Sequence, residues 1–264
     1  MKNLIFILLF ISPLVLLPDY PLKNGRPTSK GIKQYVEEQS DSLVIEFQNF
    51  IDDTIYNIWI YAEDLTRYSV NDSLELGRYY PHEIFISTAE MFLAYELGDL
   101  SQEQRDHLVE SNRFVKAAMI HELTHDYINQ ISVEMRSIDK IRIDRSYQTS
   151  IWIVRSPETF GSTFIEEGLC EYMVEKMGEL IPPERPFIPK SVQDITNGDN
   201  RYEVNYKYAS FFLKTYLDTT GFKKGVKILL HNPPPSYEEI LQPNLFFTRL
   251  NSNLEQDIPY EFDN

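Results

Sequence analysis

Apolar residues recur at steps of three and four from position 31 to about 69. Val36, Leu43, Val44, Phe47, Phe50, Ile51 and Ile55 fall on one stripe, the period of a helix laid against a core. The aromatic run 56–61 either extends that helix or opens a strand. Pro81, His82, Glu83, Ile84, Phe85, Ile86 and Ser87 read as a short strand, and Ser101 with Gln104 forms a capping box that starts a helix toward 112. A longer helix follows over about 112 to 131. Its Val115, Ala117, Ala118, Met119, Ile120, Leu123, Ile128 and Ile131 leave few polar positions, the mark of a helix buried on most sides. Between 136 and 161 the helical period lapses and 147–154 has strand character. Helical pattern returns at 163–172. A proline-rich stretch over 181–200 reads as a long loop. The apolar run 206–217 is helical and stops at Gly221, 226–230 continues the packing, and Ser236 with Glu239 caps a short helix that ends at Pro243. The sum is a mostly α-helical α+β domain over 31–264, with a small strand-bearing N-terminal part and a helical C-terminal part.

The polar residues inside the buried helix are the ones that need explaining. They spell His121-Glu122-Leu123-Thr124-His125. Residues four apart share a helix face, so both imidazoles can meet one metal ion. Glu122 is rotated from His121 by ~100°, which lets it miss the ion yet reach a water beside it. Two histidines and a carboxylate in an apolar helix require partners; a metal supplies them, and this spacing is that of a zinc ligand pair with a general base. Leu123 and Thr124 are expected to be structural, as are His82 and His231, which lie outside the motif. A catalytic zinc needs a third protein ligand. Glycine at 128 and histidine at 131 would make the chain a metzincin; both are isoleucine. The alternative is a carboxylate from the segment Thr163-Phe164-Ile165-Glu166-Glu167-Gly168-Leu169-Cys170-Glu171-Tyr172.

With these two motifs the chain resembles the gluzincins, the thermolysin-like and M1-aminopeptidase-like zinc peptidases, whose second motif reads approximately N-E-G-x-x-E/D-Y. The resemblance implies a zincin-like fold, Zn2+ as cofactor, and zinc-dependent hydrolysis of peptide bonds. It implies His121, His125 and Glu167 as the metal ligands, Glu122 as the catalytic base, and Glu171 as the carboxylate that holds a ligating histidine. Glu166 competes with Glu167. Thr163 with Glu166 spells a capping box, which gives Glu166 a structural role, whereas Glu167 has an acidic partner one turn on. Glu167 lies about forty positions beyond His125, so an inserted segment is expected between the two helices. Tyr206 falls on the tyrosine that hydrogen-bonds the tetrahedral intermediate in M1-like enzymes. This chain has Ala209 where the family has a glycine, which leaves Tyr208 as the alternative. The strand at 84–87 matches the one along whose edge gluzincins bind extended peptide. No G-x-M-E-N-like segment precedes the first motif, which argues against the M1 grip on a substrate N-terminus.

Composition narrows the partners. A formal charge of −15 argues against nucleic acid and anionic membranes; the resemblance implies a peptide or protein substrate as the partner. The five basic residues Arg136, Lys140, Arg142, Arg145 and Arg155 stand out in so acidic a chain. A solvated hairpin that balances nearby carboxylates is favoured over a flap for acidic groups. The single cysteine, Cys170, excludes an internal disulfide and a cysteine-rich zinc finger, and reads as a small apolar residue in the core. Lys2 followed by an apolar run over 4–17 reads as a signal peptide or N-terminal anchor occupying 1–18, followed by a linker over 19–30 with prolines and a glycine. An exported protein, secreted or periplasmic, is expected, with any membrane contact made through that segment alone. Two rival functions share these residues: a non-catalytic binding module on a gluzincin scaffold, and a zinc hydrolase acting on a non-peptide amide or ester.

Overall fold

The computed structural model describes residues 22–23, 26–27, 29–65, 77–88, 113–139, 159–177, 186–200 and 203–256. The N-terminal apolar run, the Ser101 capping box and the strand expected at 147–154 lie outside the described residues, as does the basic segment past Asp139. Among the described residues no helix is long and apolar enough to cross a membrane.

Within the expected linker, β1 (Leu22–Lys23) and β2 (Arg26–Pro27) pair antiparallel. Helix α1 (Ser29–Ile51) follows and buries Ile32, Tyr35, Val36, Leu43, Phe47 and Ile51. It ends well before position 69. Asp52 takes a left-handed φ of 51°, which aspartate tolerates and a helix cannot continue through. The aromatic run that could have been helix or strand becomes β3 (Trp59–Glu63).

Strand β4 (Gly77–Tyr80) was not evident from the pattern; β5 (Glu83–Ser87) was. The sheet order is β3-β5-β4, with β3 parallel and β4 antiparallel to β5. β5 is therefore central, and its backbone groups are taken on both sides. This corrects the expectation that 84–87 offers an edge to a peptide; among the described residues the edges of this sheet belong to β3 and β4. Ile84 and Ile86 point inward and are fully buried on the face that meets α2 (Arg113–Asp139), α1 packs on β3, and Trp59 and Tyr61 face outward.

The β4–β5 turn is fastened to α2. His82 sits at a φ of 70°, its N–H donates to Asp126 Oδ1 at 2.9 Å, and its carbonyl accepts the N–H of Trp59 at 3.0 Å. Asp126, with no exposed surface, also accepts from Gln130 Nε2 at 2.6 Å. Burial pushes this carboxyl's pKa up, and the two donors pull against it. One carboxylate, next in sequence to His125, thus ties the sheet to the motif helix.

Helix α3 (Thr159–Lys176) starts four residues before Thr163, so Thr163 is a helical residue rather than a cap and Glu166 has no capping role. The stretch read as loop contains a short helix, α4 (Val192–Thr196), capped reciprocally by Ser191 and Asp194. A π-helical turn (Glu203–Tyr208) then runs into α5 (Ala209–Thr220), which ends at Gly221 with φ 80°. After α6 (Phe222–His231) comes α7 (Tyr237–Leu241), held by the expected Ser236–Glu239 capping box. Pro243 opens α8 (Pro243–Gln256), where proline's missing N–H costs nothing. Gly168 of α3 meets α5 so closely that a Cβ there would lie 2.8 Å from both the carbonyl carbon and the Cβ of Ala209. That approach fixes where the π turn just upstream of Ala209 sits.

Candidate metal centre

Helix α2 is held on one side by α3 and on the other by β4. His121 and His125 leave α2 on the same face, as their spacing dictates, and their Nε2 atoms are 3.2 Å apart. Glu167 Oε2 lies 3.1 Å from His121 Nε2 and 3.5 Å from His125 Nε2. Behind the rings stand two more carboxylates. His121 Nδ1 donates to Glu171 Oε1 at 3.2 Å, and His125 Nδ1 donates to Glu166 Oε1 at 3.1 Å. These acceptors assign the Nδ1 proton on each ring and turn both Nε2 atoms inward. The pairing 121 with 171 and 125 with 166 requires α2 and α3 to run antiparallel where they cross.

Cys170 joins the cluster from the same face of α3. A ring nitrogen from each histidine and the Cys170 sulfur lie within 4.8 Å of one another, a group that could hold a metal ion. The cysteine is fully buried, as its apolar reading required, but it is not remote from the chemistry.

The charges are coupled in the metal-free protein. Burial works against charge on His121 and His125; the Cys170 sulfur and the Glu167 carboxylate outweigh it, with Glu171 beside the first ring and Glu166 beside the second. Both imidazole pKa values stand well above the ordinary range. Burial pushes the Glu167 carboxyl up, yet the two rings hold it well below the usual carboxylate range. Burial pushes the Cys170 thiol up, against the pull of His125 and His121.

Aromatic rings close both sides. Tyr206, from the π turn, stacks on His121 with centroids 6.0 Å apart, and Tyr79, from β4, stacks on His125 at 6.1 Å. The π turn matters because its wider spiral re-aims side chains relative to an α-helix. Burial and the Glu167 charge raise the Tyr206 phenol above its usual pKa, so it stays a neutral donor. Tyr208, the alternative, is spent elsewhere: its hydroxyl donates to the Ile240 carbonyl at 2.9 Å and its ring packs on Phe164 and Phe212.

Glu122 is 8 % exposed and lies against β4, where its carboxylate occupies the space beside Gly77. Leu123 and Thr124 are fully buried; Thr124 Oγ1 donates back to the Ile120 carbonyl at 2.8 Å, so both serve the helix. The fold thus brings His121, Glu122, His125, Glu167, Glu171 and Tyr206 together.

Sequence reasoning missed Cys170, read only as a core residue, and four further residues here. Gly77 and Tyr79 depend on a strand register that no local pattern announced, although an isolated glycine beside aromatic residues is a sign of close backbone approach. Glu166 was assigned to a cap, and Asp126 was passed over despite being a carboxylate inside an apolar helix. No protein-family model, curated protein or solved structure matches this chain.

Proposed function

We propose that the chain is a gluzincin-type zinc hydrolase that cleaves peptide bonds, with His121, His125 and Glu167 as the metal ligands. One observation carries the reading. The two Nε2 atoms and Glu167 Oε2 form a triangle with sides of 3.1, 3.2 and 3.5 Å. Four-coordinate zinc with bonds of about 2.0–2.2 Å keeps neighbouring ligand atoms about 3.3–3.5 Å apart. The donor triangle therefore fits such an ion, and the outer carboxylates Glu166 and Glu171 orient the rings as ligating histidines require.

When bound, zinc supplies a water acidified toward neutral pH and a Lewis acid for the scissile carbonyl. The chain's own groups do the rest. Glu122, one residue from a ligand and off the ligand face, accepts the proton of the attacking water and delivers it to the leaving amine. The neutral Tyr206 phenol donates to the oxygen that gains charge during attack. Partial burial of the rings and of Glu167 limits competing water and strengthens these interactions.

A second reading takes Cys170 as the third donor in place of Glu167, because its sulfur is also within reach of both rings. Geometry favours Glu167, whose single oxygen approaches both Nε2 atoms. Spectra of the cobalt-substituted protein separate the two: thiolate ligation produces an intense sulfur-to-cobalt charge-transfer band, and carboxylate ligation does not. The hydrolase reading itself is tested with Glu122→Gln. This variant is expected to bind zinc at full stoichiometry and to lose hydrolysis of a mixed peptide library. Activity equal to that of the unmodified chain would falsify the assignment of the base.

A further inference from the structure

We propose that Gly77 is a positioning residue for Glu122: the strand carries no side chain at this point so that the Glu122 carboxylate can lie against the backbone of β4. A Cβ on residue 77 would fall 2.5 Å from Glu122 Oε1, 2.6 Å from Cγ and 2.8 Å from Cδ. All three are far inside the ~3.5–4.0 Å at which carbon atoms rest against one another.

The usual alternative reason for a glycine is absent. Among the described residues the only glycine with positive φ is Gly221, so position 77 does not require glycine for its backbone conformation. It requires space. Both walls are held by packing. β4 is paired to β5 from Gly77↔Ile86 through Tyr80↔Glu83, and Ile86 and Ile84, directly across from Gly77 and Tyr79, are fully buried. Tyr79, two residues on and on the same face, rests its ring on His125. On the other side Met119, Ile120 and Leu123 lock α2 with no exposed surface. The movable part is the Glu122 side chain, so a methyl group on residue 77 displaces the carboxylate. The alternation of the strand thus matches the helix: residues 77 and 79 face residues 122 and 125. β4 is the wall that sets where the base stands.

The part of this inference that concerns rate rests on the hydrolase reading; the part that concerns packing does not, and the test separates them. Thermal unfolding of the zinc-loaded full chain is measured for the parent, Gly77→Ala, Glu122→Ala and the double variant. Gly77→Ala is expected to lower the midpoint by several degrees when Glu122 is present. With Glu122 truncated to alanine the same change is expected to be neutral or to raise the midpoint, because alanine restricts the unfolded chain more than glycine does. If Gly77→Ala fails to fold only when Glu122 is present, the coupling is the same result in stronger form. An equal cost in both backgrounds, or failure to fold in both, overturns the proposal. Peptide hydrolysis adds the second readout. Gly77→Ala should lower kcat at least tenfold with KM within twofold and zinc content unchanged, and should cost nothing more in a Glu122→Gln background. An unchanged kcat in an active protein overturns the positioning role. An inactive parent chain overturns the hydrolase reading, and the thermal cycle still decides whether residue 77 holds Glu122.

Discussion

His121 and His125 are one helical turn apart and are held by different parts of the molecule. Among the described residues the partners of His121 outside α2 are helical: Glu171 from α3 at Nδ1 and Tyr206 from the π turn on the ring face. Around His125 the carboxylate again comes from α3, as Glu166, but the ring face is covered by Tyr79 of the sheet. The carboxylate clamps are equivalent because one helix laid antiparallel along another repeats its contacts at each turn. The ring faces differ because the motif helix lies between two layers. Orientation of the two imidazoles thus belongs to the helical side, and placement of Glu122 and one ring face to the strand side.

The strongest way to break the helical side is to remove its central carboxylate. Glu167→Ala is expected to abolish stoichiometric zinc binding, whereas Cys170→Ala, which touches the same rings, should retain it; metal analysis after dialysis distinguishes the pair. Next come the two clamps. Glu166→Gln and Glu171→Gln should each weaken zinc affinity by roughly 10–100-fold, measured by competition with a chromogenic chelator. Losses of similar size would establish the equivalence, and a loss confined to Glu171 would remove Glu166 from the site.

A smaller effect is expected where the helices meet. Gly168→Ala forces a methyl against the Ala209 backbone and should cost about 1–3 kcal/mol in urea unfolding. Ala209→Gly should recover only part of that, because the carbonyl carbon stays in place. The strand-side counterpart is milder still: Tyr79→Leu loses one ring stack, worth ~0.5–1.5 kcal/mol, and should leave zinc content intact.

The pH dependence of the metal-free protein follows from the coupled charges. His121 and His125 are raised, so their contribution is complete below the unfolded value of about 6.5 and is lost as pH climbs through the folded values. Glu167 is depressed, so its contribution is present above about 4.3 and is lost on acidification. The metal-free midpoint should therefore be highest between about pH 4.3 and 6.5 and fall on either side. Zinc requires the rings deprotonated, so adding it should erase the decline on the alkaline side. Differential scanning fluorimetry from about pH 2 to 9, with and without zinc, reads both limbs.

The parts legible in the sequence share a cause. The α2 face, the carboxylates of α3, the Gly221 stop and the Ser236 cap are all set by contacts within one helix or by chemistry within four residues. Errors arose where a local signal competed with tertiary contact. Thr163 with Glu166 satisfies the capping rule, yet helix α3 had already begun at Thr159, and Glu166 turned to His125 instead. The stripe that seemed to carry α1 to 69 was cut at Asp52, because Trp59–Glu63 pairs with a strand some twenty residues further along.

By itself the sequence determined which residues could share a helix face, and so which imidazoles and carboxylates could converge. Helical periodicity is a local property, repeated at every turn. Only the tertiary structure decided which face of Glu167 met which ring, that β5 would be central in its sheet, and that an absent side chain at 77 would leave room for Glu122. Those outcomes depend on register and on the distance between elements far apart in the chain, which are settled when the whole core packs at once.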